Sequence, residues 1–259
     1  MLVMSFDATR SAYDRYMGRY SDQLAITFLS FIGGDPGHRA LDVGCGPGAL
    51  TQALATGLGA SHVAAADPSQ PFVTACSERV PGADVRRAAA GDLPWIDATF
   101  DLVVSQLVLN FLPDPEAGLA EMLRVVRPGG TIAACTWDYA DGMTMLRTFW
   151  DAARDVDPES PDEGRTMRFT AERQLAALWE HAGLTDIRTR SLEVSSEYDD
   201  FDDYWQPFML GVGPGGAYVA TLDANQLEQL RAGCFQRLGA PDGPFTLSAR
   251  AVAVSGRRP

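Results

Sequence analysis

The sequence predicts an α/β fold: a Rossmann-like, doubly wound sheet of seven strands, mostly parallel, with helical lid insertions. Three observations carry that prediction. Short apolar segments alternate with amphipathic stretches across residues 38–137, the rhythm of parallel strands joined by crossover helices. Glycine, proline and acidic residues punctuate the segment ends. At 259 residues and 46% apolar content, the chain is long enough to bury one large core.

The elements follow in order. Residues 11–31 carry Tyr13, Tyr16, Tyr20, Leu24, Phe28 and Phe31 at helical spacing, and the run Gly33–Gly37 stops that helix. Arg39–Val43 is a buried strand, and Ala49–Leu58 a helix. His62–Ala66 is the second strand; the helix after it breaks at Pro81-Gly82. Asp84–Ala89 is a weaker third strand and Phe100–Ser105 the fourth. Pro115–Val126 is a helix closed by Arg127-Pro128-Gly129-Gly130, and Thr131–Trp137 the fifth strand. The rhythm then breaks. Residues 138–169 form an acidic insertion, Thr170–Ala182 an amphipathic helix, and Asp186–Val194 an alternating strand. Residues 198–242 form a second insertion rich in aromatics and glycine, and Phe245–Ser255 closes the sheet. The run Gly211–Gly216 reads as a hinge or tight turn. The expectation is one domain over 1–259, with an N-terminal helical cover at 1–37 and lid insertions at 138–169 and 198–242.

Composition excludes several functions. All 21 basic residues are arginine, so neither a Schiff-base lysine nor a P-loop lysine exists. The net charge is −13, and residues 138–205 alone hold 17 acids against 7 arginines. An acidic surface repels a phosphate backbone, which argues against a nucleic acid partner. No apolar run reaches transmembrane length and the N-terminus has no signal pattern, so the expected location is cytoplasmic, without stable membrane insertion. Cys45, Cys76, Cys135 and Cys234 are far apart in sequence and form no zinc motif; free thiols and no metal are expected.

The most informative segment is Leu41-Asp42-Val43-Gly44-Cys45-Gly46-Pro47-Gly48. It is a buried strand that ends at an acid and opens through three glycines into a helix, a cradle that backbone can bring close to a ligand. A dinucleotide fingerprint would need GxGxxG, whereas Gly44, Gly46 and Gly48 are spaced GxGxG. Asp42 would also sit badly beside a pyrophosphate. A ribose-bearing ligand with a cationic portion and no phosphate fits, as S-adenosylmethionine (SAM) does.

This segment resembles the first motif of class I SAM-dependent methyltransferases. Asp67, Ala90-Gly91-Asp92-Leu93-Pro94, Phe100–Gln106 and Arg124–Thr131 resemble the later motifs in order and spacing, and the match over residues 38–137 is similar to the UbiE-like small-molecule branch. The resemblance implies SAM as cofactor and S-adenosylhomocysteine (SAH) as product. It implies that Asp67 holds the ribose, with a helix N-cap as the competing role. Pro68 and Ser69 would flank the adenine. Gly91 and Asp92 would reach the adenine amino group, with a plain turn as the alternative. Leu93 would pack on the ring or in the core. Ser105 and Gln106 would complete the pocket. Arg19 or Tyr20, in the covering helix, would meet the SAM carboxylate.

The acceptor is less legible. His38 precedes the first strand, His62 starts the second and His181 ends the helix before the sixth, all at the edge opposite the expected ligand, so none is expected to be catalytic. Gln106, Asn110 and Asp138 lie after strands four and five and are the weak catalytic candidates. The fourth motif lacks the Asn/Asp-Pro-Pro-Tyr pattern of enzymes that methylate amino groups of nucleic acid or protein. A small apolar or aromatic acceptor is expected; Tyr204, Trp205, Phe208, Met209 and Tyr218 could line its pocket, with the lid's own small core as the competing role for most of them. A SAM- or SAH-binding regulatory protein without turnover is the alternative, and no oligomeric state can be read.

Overall fold

The computed structural model describes residues 14–211 and 213–259. Tyr13, expected in the first helix, and Val212, in the glycine run, lie outside them. The chain divides into two compact units. A sheet unit comprises Ser21–Trp137, Arg168–Leu192 and Ala251–Pro259. A helical unit comprises the described residues through Tyr20, with Asp138–Met167 and Glu193–Arg250.

In the sheet unit, helix α1 (Arg19–Ile32, from Ser21 onward) precedes β1 (Ala40–Val43). Then come α2 (Ala49–Leu58), β2 (Val63–Asp67), α3 (Gln70–Arg79), β3 (Asp84–Arg87) and β4 (Phe100–Gln106). Helix α4 (Pro115–Val125) leads into β5 (Val126–Trp137). The strand order is β3-β2-β1-β4-β5-β7-β6. Strands β1 to β5 pair in parallel, and β7 (Phe245–Arg257) runs antiparallel to β5. Strands β6 (Thr185–Tyr198) and β7 are each shared between the two units.

Burial explains the order. Every residue of β1 and β2 is buried, as central parallel strands with both faces covered require. β3 is charged and largely exposed, which suits an edge strand. The core joins Leu41, Phe100, Met122, Ile132, Leu175 and Trp179, and the indole N–H of Trp179 donates to the Ile132 carbonyl at 3.2 Å.

β5 is longer than expected. The Arg127–Gly130 stretch belongs to the strand because the Gly129 N–H donates to the Arg258 carbonyl at 2.8 Å and the Arg258 N–H to Gly130 at 3.0 Å.

The helical unit begins with a π-helical turn, Asp14–Gly18, running into the first residues of α1. It continues with α5 (Thr144–Val156), the single turn α6 (Glu163–Thr166), α8 (Phe201–Met209), α9 (Gly213–Val219) and α10 (Ala224–Arg237); α7 (Glu172–His181) belongs to the sheet unit. From Gly213 onward the expected hinge at Gly211–Gly216 is helix. A Cβ at Gly216 would lie 2.4 Å from the Gly211 carbonyl carbon, so glycine here lets α9 fold back on the end of α8. Among the described residues, no helix is long and apolar enough to cross a membrane.

Candidate functional site

The carboxyl ends of β1, β2 and β4 meet the glycine loop within the sheet unit. The loop satisfies its own backbone. The N–H groups of Gly44 and Cys45 both donate to the Ala66 carbonyl, at 2.7 and 3.0 Å, and Gly48 donates to Cys45 at 3.0 Å. Gly46 donates to Asp67 Oδ2 at 3.0 Å. Few donors remain for a phosphate, so the loop acts through shape. Gly44 (φ +78°) would put a Cβ 2.4 Å from Val108 Cγ2, and Gly48 (φ +92°) one 3.0 Å from Cys76 Sγ.

Two carboxylates flank the loop. Asp67 Oδ1 accepts from the Ser69 N–H at 2.8 Å, so it fastens the loop after β2 and does not cap α3. Each oxygen holds one backbone N–H and keeps a further lone pair, which fits two vicinal hydroxyls. Burial raises the Asp67 carboxyl, against those two N–H bonds. Asp42 is 1% exposed; its Oδ2 accepts from the Thr51 hydroxyl at 2.7 Å, and its Oδ1 has no partner. Burial pushes Asp42 up to about 7, the Thr51 hydroxyl opposes, and the Asp67 charge adds. A phosphate would worsen this crowding of negative charge, whereas a cationic ligand would relieve it. The residues therefore fit a phosphate-free cationic nucleoside.

Thr51 was not foreseen; its only sequence signal is a hydroxyl in the first turn of the helix after the loop. It also accepts from the Cys76 thiol at 3.4 Å, and Cys76 is hydrogen-bonded to Cys45. All four cysteines are free and buried.

The other expected residues fall as follows. The turn ahead of Asp92 closes through its N–H to Ala89 at 3.1 Å, and residues Gly91 and Asp92 are exposed. Leu93 lies in the hydrophobic core, its N–H held by Glu121 Oε2 at 2.9 Å. Pro68 is exposed and Ser69 half-buried ahead of α3; the Pro68 carbonyl accepts from Arg87 at 3.0 Å. Ser105 is buried and ties β4 to β1 by donating to the Val43 carbonyl at 2.8 Å. Gln106 donates to the Ser21 carbonyl at 3.1 Å, while its Oε1 is buried without a partner. Asn110 lies in a 3-10 turn beyond β4.

Three expectations are corrected. Arg19 is already committed within the helical unit: its guanidinium forks onto Asp203 at 2.8 and 3.2 Å, donates to the Arg15 and Glu197 carbonyls, and lies 4.1 Å above the Tyr198 ring. Its carboxylate partner is internal. Tyr20 is fully buried and hydrogen-bonds the Tyr198 hydroxyl at 2.9 Å, which removes it from the surface. Asp138 is not a loose acid. Its Oδ2 accepts from Arg250 Nε and Nη2 at 3.0 and 2.6 Å, and its Oδ1 from the Asp141 N–H at 3.1 Å.

His38 and His62 precede β1 and β2. His181 precedes β6, whose Thr185 lies beside Arg257, and Arg257 pairs with Thr131 early in β5. All three histidines thus sit at the amino edge of the sheet. Among the described residues, no group of three or more His, Cys, Asp or Glu could hold a metal ion.

A family model described as a methyltransferase domain matches residues 41–134, which contains the loop and the carboxyl ends of β1, β2 and β4. Demethylmenaquinone methyltransferase of Clavibacter sepedonicus is 36% identical over 137 residues, covering 50% of this chain and 55% of the relative, so the chain spans about half that protein's length. Demethylmenaquinone methyltransferase of Lysinibacillus sphaericus is 30% identical over 202 residues, covering 70% of this chain and 86% of the relative. Among solved structures, a phosphoethanolamine N-methyltransferase of Haemonchus contortus in complex with S-adenosylhomocysteine superposes with a TM-score of 0.56 at 17% identity, over 96% of this chain and 60% of that one, a likeness of fold. With its glycine loop, paired acids and strand order, this chain belongs to the UbiE-like class I SAM-dependent methyltransferases.

Proposed function

We propose that this protein transfers a methyl group from SAM to a small apolar or aromatic molecule. The observation that carries the reading is the self-satisfied glycine loop between Asp42 and Asp67, a cradle suited to a cationic nucleoside and unsuited to a phosphate. When bound, SAM supplies an activated methyl group and its own leaving group. The chain then has to align the acceptor and exclude water.

In this reading Asp67 accepts the ribose hydroxyls through its remaining lone pairs, and Asp42 balances the cationic end. Asp92, on its exposed turn with Gly91, accepts from the adenine amino group; Pro68 and Ser69 border the ring. Leu93 supports the turn from the core. The two curated relatives are named for demethylmenaquinone, an aromatic ring system, which supports an acceptor of that chemical kind. The acidic surface supports a small molecule over nucleic acid.

One observation favours the second reading, a SAM- or SAH-binding protein without turnover: the Asp138 carboxylate is held by Arg250, and Gln106 is an amide that donates to the Ser21 carbonyl. Calorimetry with SAM and SAH, followed by transfer of tritiated methyl to quinols, phenols, amines and carboxylic acids, separates the two. Incorporation into the aromatic hydroxyl or quinol classes is expected. Binding without incorporation into any class supports the regulatory reading, and NADH binding without SAM binding overturns both.

A further inference from the structure

Within the sheet unit, β5, β7 and β6 turn arginine and hydroxyl side chains to one face at the amino edge. Thr131 of β5 and Arg257 of β7 are cross-strand partners, so their side chains share a face. Ser255 lies two residues before Arg257 and shares it too. The Arg188 guanidinium of β6 reaches Ser255 Oγ at 3.5 Å, and Arg190, two residues on, follows on the same side. The other face is turned to the core and α7: a Cβ at Gly256 would lie 2.8 Å from Trp179 Cδ1, and the Thr189 and Ser191 hydroxyls donate to Glu172. Helix α1 covers the arginine face only as far as its own end. Arg188 and Arg190 each lie 5.6 Å from the centre of the Phe31 ring, and Ile32 is the last residue of the helix.

Where α1 ends, the face opens into a cavity of about 530 Å³. Thr131, Arg188, Ser255 and Arg257 line it, with Ile32 and Ile187 as its apolar part. That volume suits a small molecule. The charges specify its chemistry. Arg86, Arg124 and Arg127 of the same unit are each paired with a carboxylate. Among the described residues, Arg188, Arg190 and Arg257 form no salt bridge. Two guanidiniums against one ring repel each other, and a dianion between them and Arg257 relieves that repulsion. Each guanidinium offers a planar fork of N–H donors that matches phosphate oxygens. Ser255 is 1% exposed and accepts from Arg188, which leaves its own O–H to donate. Asp186, which also lines the cavity, opposes an anion. It is exposed and has φ +49°, a left-handed conformation that aspartate and asparagine adopt more readily than other non-glycine residues. One acid against three arginines leaves the cavity cationic, in a chain whose net charge is −13.

We infer that this cavity binds a small phosphate monoester. Arg188 and Arg257 fork onto the phosphate oxygens, and Ile32 and Ile187 meet the organic part. The cavity lies at the edge of the sheet opposite the glycine loop, so its ligand is neither the cofactor nor the acceptor. The inference stands apart from the methyl-transfer reading, and no bond is made or broken.

The test uses the full chain, with phenyl phosphate as the probe and phenyl sulfate as a singly charged control of the same shape. Calorimetry is run at about pH 7.5, where a monoester with a second pKa of about 6 is mostly the dianion. The wild type is expected to bind phenyl phosphate with a Kd of about 1 mM or tighter. It should bind phenyl sulfate at least about fivefold more weakly. Arg188→Gln and Arg257→Gln should each weaken phenyl phosphate about 10-fold, the scale of a hydrogen bond to a charged group. Asp186→Asn should tighten it about threefold by removing a like charge. That variant keeps the left-handed backbone accessible, so it tests the cavity even where an arginine variant does not fold. Arg173→Gln removes the same charge from an exposed position on α7, across the sheet, and should change affinity by less than about twofold. No binding by the wild type at about 10 mM overturns the inference. So does equal affinity for the sulfate, unchanged affinity in both cavity arginine variants, or the same loss in Arg173→Gln as in those two.

Discussion

The glycine loop of the sheet unit is fixed by backbone hydrogen bonds, whereas much of the helical unit is fixed by packed aromatic rings. At the carboxyl edge of the sheet, loop and strand groups satisfy one another: Gly46 and Ser69 hold Asp67, Ala66 holds two loop N–H groups, and Val43 holds Ser105. That shape stands before any ligand arrives. In the helical unit, Tyr16 meets Phe208 edge-on at 5.6 Å, Phe208 stacks on Phe149 at 4.3 Å, and Phe149 meets Tyr218 at 6.4 Å. A preformed cradle binds one ligand at little ordering cost.

The largest test of this contrast breaks the preformed side. Gly44→Ala forces a Cβ into Val108 at a positive φ. It should cost about 2–5 kcal/mol in denaturant unfolding and abolish SAM binding. Asp67→Asn keeps a carbonyl acceptor for one N–H and loses the charge. It should weaken SAM about 10- to 100-fold by calorimetry while the fold survives.

Next comes pH. Glu163 has its folded value raised to about 7 from an ordinary 4.5, so the folded state holds the proton more tightly than the unfolded state. Its contribution is fully present below pH 4.5 and is lost as pH rises through about 7, on the order of 3 kcal/mol in all. Glu163→Gln should therefore gain stability relative to wild type as urea melts are moved from pH 5 to pH 8; a constant difference would contradict the raised value.

Arg19→Ala removes the fork onto Asp203 and should lower stability by about 1–3 kcal/mol with no change in SAM affinity. A weakened SAM dissociation constant would restore Arg19 to a cofactor role. The smallest effect is expected from replacing His38, His62 or His181 with alanine, which should leave turnover within about twofold.

What was legible follows the locality of its cause. α2 (Ala49–Leu58) falls at its expected bounds, because its glycine start and amphipathic pattern are local. The loop and the Asp67 position were legible for the same reason. The start of β5 is not legible in the sequence, because its first residues are held by Arg258, more than a hundred positions away. Helices α8 to α10 were hidden by their aromatic and glycine content, since their stability comes from tertiary packing more than propensity. The Arg19 guanidinium, expected to meet the SAM carboxylate, forks onto Asp203, 184 positions on, a pairing that no local pattern encodes. Glu163 looked like one more acid in a solvated stretch. Only its burial beneath Trp150 sets it apart, and no sequence pattern encodes that.

The strand order has a consequence for how the protein is made. β6 leaves the ribosome before β7, yet β7 lies between β5 and β6 in the finished sheet. Until β7 is synthesised, β5 presents an unpaired edge, and β6 has no neighbour to join on that side. The nascent sheet must wait open for its penultimate position to be filled, which makes this a slow, long-range closure exposed to misassembly. Chaperone demand should therefore peak late in synthesis, well after the cofactor cradle has been translated.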